Sequence, residues 1–281
     1  SDSREDDMGF TFDGAVGIVT GASRGIGARL AERLAGEGVH LALAARSEQE
    51  LASMAQVAKA AGVRAIAVAT DVNDPLQLRY LVDRTVEELG PPNLLVNNAG
   101  VEKYGAFDDL DPEDIDWIIR TNVTALATLT RLVVPSMIER RAGHIVNMAS
   151  LAGKAAVPYN TIYSASKHAV VGFSWSLREE LRPYGIGVSA VCPGFVEDTG
   201  MFASRGPNNR APKLVGTVSP QKVIDETIKA IVKNRAEVIV APPLSRAIDV
   251  LEAISPDLAT AVPRRTGLYD FLAGEAQRPK S

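Results

Sequence analysis

GAVGIVTGASRGIGARLAERL, residues 14–34, reads as a short apolar run, a glycine-rich turn and the start of a helix. The run is continuous rather than alternating, the pattern of a strand buried on both faces of a parallel sheet. Glycines at Gly21, Gly25 and Gly27 let the backbone turn tightly and approach a phosphate group, and the helix that follows aims its free amides and positive dipole end at that charge. The spacing is G-x-x-x-G-x-G rather than the commoner G-x-G-x-x-G, and glycines in such a turn can also serve packing alone. The position in a first strand-to-helix turn favours a phosphate cradle of Gly21, Ser23, Arg24, Gly25, Ile26 and Gly27.

The same unit recurs outward from this stretch. Apolar runs begin at Val39 (VHLALAA), Val63 (VRAIAVAT), Asn93 (NLLVN), His144 (HIVNMAS), Gly187 (GVSAVC) and Ala236 (AEVIVA), with helix-length segments between them. Repeated strand, helix, strand predicts an α/β fold: a doubly wound (Rossmann), mostly parallel seven-stranded sheet with helices on both faces. One domain over 14–241 is expected, with ligands outside the carboxyl ends of the strands. The polar, acidic residues 1–13 read as a disordered tail or an expression remnant. Residues 194–219, rich in Gly, Pro and Asn, are too long for an ordinary connector and read as a substrate loop. In the 242–281 tail, LSRAIDVLEAI places Arg246, Asp249 and Glu252 on one side and Ile248, Leu251 and Ile254 on another, an amphipathic helix packed on the domain or a partner subunit.

Composition narrows the function. At 281 residues, 46% hydrophobic and 23% charged, the chain can bury a substantial core. A net charge of −4 without a lysine-arginine block argues against nucleic acid, leaving a small molecule as the expected partner. The single cysteine, Cys192, rules out an intrachain disulfide and a cysteine-cluster metal site. His40, His144 and His168 lack ligand spacing, so no metal is expected. No apolar run approaches the length of a membrane span, and a cytoplasmic protein is expected.

The second apolar run ends in Ala44, Ala45 and Arg46, where an acidic residue would bind the ribose 2′-hydroxyl of NAD. Arg46, with Arg24 in the glycine turn, can instead clamp a 2′-phosphate through charge-assisted hydrogen bonds. NADP(H) is therefore the expected cofactor.

Further motifs follow in order: Asp71-Val72 after the third run, NNAG (Asn97 to Gly100) after the fourth, Asn122 in RTNVTA, Ser150 after the fifth, and YNTIYSASKHAV from Tyr159, with Tyr163 four residues before Lys167. In this ordered set, over roughly Gly14 to Ala241, the chain resembles the short-chain dehydrogenase/reductase family. The resemblance implies that Tyr163 is the general acid or base, Ser150 polarises the substrate oxygen, Lys167 holds the nicotinamide ribose and favours the phenolate, and Asn122 helps hold a relay water. It further implies that Asp71 and Val72 bind the adenine, that Asn98, Ala99 and Gly100 border the cofactor, and that Pro193, Gly194 and Val196 meet the nicotinamide. Where many members have a threonine to bind the carboxamide, this chain has Asp198, with Thr199 one residue later; Thr199 is the expected contact if the loop bulges.

The chemistry agrees with these roles. A phenol near pKa 10 exchanges protons poorly at neutrality, and a nearby ammonium favours its ionised form. Proton transfer from Tyr163 and a hydrogen bond from Ser150 would stabilise the charge that grows on a carbonyl oxygen as hydride arrives. Leu151, Val157, Tyr159, Phe195, Met201 and Phe202 around the expected pocket suggest an apolar ketone or secondary alcohol, from 3-oxoacyl to steroid-like or aromatic. Members of the family are usually homodimers or homotetramers, so either assembly is expected. A non-catalytic NADPH-binding sensor or scaffold with the same fold is the alternative.

Overall fold

A computed structural model describes residues 10–197 and 216–243, scattered positions between 245 and 260, and 267–276. Strand and helix alternate: β1 (Val16–Thr20), α1 (Gly25–Gly36), β2 (His40–Ala45), α2 (Glu48–Ala60), β3 (Ala65–Ala69), α3 (Pro75–Glu88) and β4 (Leu94–Asn97). Next come α4 (Pro112–Ile119), α5 (Ala125–Arg140), β5 (Gly143–Met148), α6 (Thr161–Leu181), β6 (Ile186–Pro193), α7 (Pro220–Val232), β7 (Glu237–Val240) and α8 (Leu268–Ala276). The seven strands form one sheet in the order β3-β2-β1-β4-β5-β6-β7, and every pairing is parallel. All seven apolar runs of the sequence are strands.

Burial explains why those runs are continuous. All five residues of β1 are buried, and neighbours along it serve opposite layers. Val19 joins a core with Leu30 and Leu34 of α1, Leu51 of α2 and Ile224 and Ile228 of α7. Ile18 faces a second core with Leu78 and Leu81 of α3 and Leu129 and Val133 of α5. Each such side chain removed from water contributes about 1.5–3 kcal/mol, which fixes both helical layers on the sheet. Phe12 belongs to the first core, and Phe10 packs edge-on against Phe12 and His144, so the chain joins the fold before Gly14.

Winding reverses between β1 and β4, opening a crevice at the carboxyl ends of the strands. Register brings those ends together, with Thr20 beside Ala44, Asn97 beside Asn147, and Pro193 beside Val240.

The glycine turn divides its labour. Gly21 and Gly25 both take φ of +64°, the left-handed region that a side chain disfavours. Gly27 serves close packing instead: a Cβ there would lie 2.2 Å from the Gly21 carbonyl oxygen and 2.5 Å from the Asn98 Nδ2. Asn98 holds the same turn, donating from Nδ2 to the carbonyls of Thr20 (3.0 Å) and Gly21 (3.2 Å). Gly27→Ala should therefore destabilise the fold by about 1–3 kcal/mol, seen as a lower urea midpoint at unchanged slope. An unchanged midpoint would show that α1 can step back from the turn freely.

Candidate active site

Ser150 leaves the end of β5 in extended geometry, and its Oγ accepts the Ala152 N–H at 3.1 Å to open a single 3-10 turn over Leu151–Gly153. That turn lies directly on α6. A Cβ on Gly153 would sit 2.6 Å from the Lys167 carbonyl oxygen, and the Ser164 hydroxyl donates to the Ala152 carbonyl at 2.6 Å. Helical spacing then puts Tyr163, Lys167, Val170 and Ser174 on the buried face of α6.

Lys167 is only 2% exposed. Its Nζ donates to the Met148 carbonyl at 2.8 Å and stands 5.6 Å from the centroid of the Tyr163 ring. Burial pushes this ammonium down from its ordinary 10.5 to about 8, opposed by Cys192 and the Glu102 carboxylate. Tyr163 itself is 7% exposed.

Asn122 sits in a five-residue π turn, Arg120–Thr124, between α4 and α5. Its Oδ1 accepts the Val101 N–H at 2.8 Å, and its Nδ2 donates to the Val101 carbonyl at 2.8 Å and to the Ser166 Oγ at 3.0 Å. The carboxamide thus clips the segment after β4 to α6. Widened helical turns of this kind recur at functional sites because they re-aim a side chain.

At the opposite end, Arg24 stands at the N-cap of α1 and its side chain makes no capping hydrogen bond to the first turn. Arg24 and Arg46 are exposed, and neither has an ion-pair partner among the described residues. Glu50, one turn into α2, shares their wall of the crevice. Asp71 accepts the Asn73 N–H at 3.0 Å and donates its own backbone N–H to Gln77 at 2.8 Å, which shapes the turn that presents Val72. Val218 bonds the backbone on both sides of Val196, accepting from Glu197 and donating to Phe195, which leaves the Val196 N–H and carbonyl on the other edge.

One crevice of about 780 Å³ joins these parts. Of the expected site residues that are described, all line it except Gly27 and Asn122. Those two act from behind the wall, through the packing and the clip described above. Thr199, Met201 and Phe202 lie outside the described residues, as does most of the helix expected around 244–254. Leu151, Val157 and Phe195 line the crevice. Tyr159 does not: it takes φ of +62°, is 36% exposed, and its carbonyl accepts the Gly105 N–H at 2.9 Å. The left-handed turn at Tyr159 points the chain into α6 and carries its ring away from the pocket.

Trp117 of α4 and Leu268, Tyr269 and Leu272 of α8 also line the crevice, and the sequence reading passed over them. The signal was present in the tail, where 268, 269 and 272 share a helical face. Among the described residues no group of His, Cys, Asp or Glu could hold a metal ion, and no helix is long and apolar enough to cross a membrane.

The family described as short chain dehydrogenase matches residues 15–210. The ketoacyl reductase HetN of Nostoc sp. is 40% identical over 266 residues, 93% of this chain and 92% of its own. A solved Phe-to-Trp variant of actinorhodin polyketide ketoreductase with NADPH superposes with a TM-score of 0.78 at 36% identity, covering 84% of this chain and 99% of that one. A Burkholderia phymatum short chain dehydrogenase/reductase in complex with NAD gives a TM-score of 0.78 at 32% identity, covering 89% and 96%.

The buried ammonium has a measurable consequence. An unfolded lysine binds its proton up to about 10.5 and the folded Lys167 only up to about 8, so stability rises with pH between those values. Lys167→Met should be the more stable protein at pH 7, by at most roughly 3 kcal/mol less the lost hydrogen bond. That advantage should shrink as pH rises from 8 to 10.5. A difference constant across this window in urea titrations would contradict the buried charge.

Proposed function

The chain belongs to the short-chain dehydrogenase/reductase family of oxidoreductases, and we propose that it is an NADPH-dependent ketoreductase acting on an apolar, ketoacyl-type carbonyl. The observation that carries this reading is a single crevice with Ser150, Tyr163 and Lys167 at one end and Arg24 and Arg46 at the other. Four strand spacings of about 4.8 Å separate β2, which delivers Arg46, from β6, which delivers Pro193, so the crevice spans roughly 19 Å. An extended dinucleotide fits that span, with its phosphates at the uncapped start of α1. Arg24 and Arg46, without an ion-pair partner among the described residues, line the same crevice as Ala45, and with no acid at that strand end they suit a 2′-phosphate.

A bound nicotinamide supplies the hydride, which no side chain here can do. Lys167, anchored on Met148, holds a positive charge beneath Tyr163. As the carbonyl carbon gains hydride, its π electrons move to oxygen, which takes the proton from the Tyr163 hydroxyl. The resulting phenolate is stabilised by the Lys167 ammonium. Ser150 stands at the strand end to hydrogen-bond the same oxygen. Read backwards, these groups accept the proton of an alcohol. Names of relatives and the apolar wall at Leu151, Val157 and Phe195 support a ketoacyl substrate with substantial apolar surface. The intact set of groups on one crevice argues against a cofactor sensor without turnover.

Tyr163→Phe should lower kcat/KM for ketone reduction by about 10²–10⁴ while NADPH affinity by titration stays near that of the parent. Ordinary turnover would remove Tyr163 from the role. Arg46→Ala should weaken NADPH about 10- to 100-fold and leave NADH affinity unchanged. Equal affinity of the parent for both cofactors would refute the 2′-phosphate site.

A further inference from the structure

The family match ends at residue 210, yet the crevice wall does not. Leu268, Tyr269 and Leu272 line it from α8, on one helical face, while Asp270 on the other side is exposed. Leu272 is 1% exposed, which makes it the anchor of the helix. Phe271 meets Phe195 edge-on, with ring centroids 6.0 Å apart and planes at 86°. Phe195 follows Pro193 and Gly194 at the end of β6, the strand beside β5 and Ser150. Contact with Phe195 therefore places α8 at the end of the crevice where the carbonyl reacts, across the sheet from Arg46.

The walls there differ in character. Among the lining residues Tyr104, Trp117, Phe195 and Tyr269 are aromatic, whereas Leu151 and Val157 are aliphatic. Aromatic faces favour flat partners over flexible chains, because a rigid ring gains contact area with little conformational entropy to lose. A linear acyl chain would have to freeze several rotors to fill the same space.

We propose that Tyr269, held over the crevice by Leu272 and the Phe271–Phe195 contact, is a specificity-determining residue that selects ketones carrying a cyclic or aromatic body next to the reacting carbonyl. The proposal rests on the ketoreductase reading and names the substrate class for that same site. Tyr269 takes no part in the proton or hydride steps. Its removal should change which ketone binds, not how it is reduced.

The test compares tetralone with an open-chain methyl ketone of equal carbon number, with NADPH saturating. The parent should favour tetralone in kcat/KM by about tenfold or more, within the range that an apolar pocket achieves. In Tyr269→Ala the preference should fall to about threefold or less, through a raised KM for tetralone, with kcat and NADPH affinity near parental values. Tyr269→Phe, which keeps the ring and guards against a folding artefact, should retain the preference. An undiminished preference in Tyr269→Ala, or none in the parent, overturns the proposal. A fall in NADPH affinity matching the rise in KM overturns it as well, since α8 would then cover the cofactor. If neither ketone is turned over, the ketoreductase reading fails first. The wall is then judged by amide hydrogen exchange over residues 268–272: slowing by tetralone with NADPH beyond that by NADPH alone supports it, and no such slowing overturns it.

Discussion

Holding the Lys167 ammonium where only 2% of the residue meets solvent carries a desolvation cost, and much of the site is arranged around it. The Met148 carbonyl at the end of β5 takes one of its hydrogens, and the Glu102 carboxylate opposes the fall in its pKa. A lysine held at about 8 is still largely charged at neutrality, which is the condition for favouring a phenolate on the same helical face. The cost is local, and on the proposed reading the gain is chemical, a pattern common where stability gives way to activity.

Position follows from the sheet. Seven parallel strands send their carboxyl ends to one edge, and the reversal of winding between β1 and β4 opens the crevice that Gly21, Asn98 and Ser150 border. Polar clips keep that edge in register: Asn98 on the Thr20 and Gly21 carbonyls, Asn122 between Val101 and Ser166, and Asn97 on Asn147 at 2.8 Å. Each is at least partly buried and bridges two separate segments of the chain, so it fixes geometry that apolar packing alone leaves loose.

Legibility in the sequence divided along physical lines. The inner strands, buried on both faces, leave unbroken apolar runs, and the partly buried edge strands β3 and β7 keep apolar runs as well, so all seven could be read. The glycine turn was legible as a site, yet the sequence could not say that Gly27 clears room for the Gly21 carbonyl rather than for a ligand. Asn122 was legible as a motif, but its engagement with Val101 depends on a π turn that no local spacing announces. Tyr159 stands four residues before Tyr163, a helical spacing, but its left-handed backbone lies before α6 begins at Thr161 and takes it out of that face. The α8 wall was missed because nine residues of mixed character near a chain end look like tail until Phe271 finds Phe195.

The central claim is that a buried, charged Lys167 arms the site for proton transfer. The pH dependence of kcat/KM for the reduced nicotinamide cofactor tests it most directly, because that ratio reports groups ionising in the cofactor-free protein. The account predicts a falling limb in ketone reduction as pH rises through about 8, the value set by burial of Lys167. A profile flat from pH 7 to about 10, the ordinary range for lysine, would contradict it.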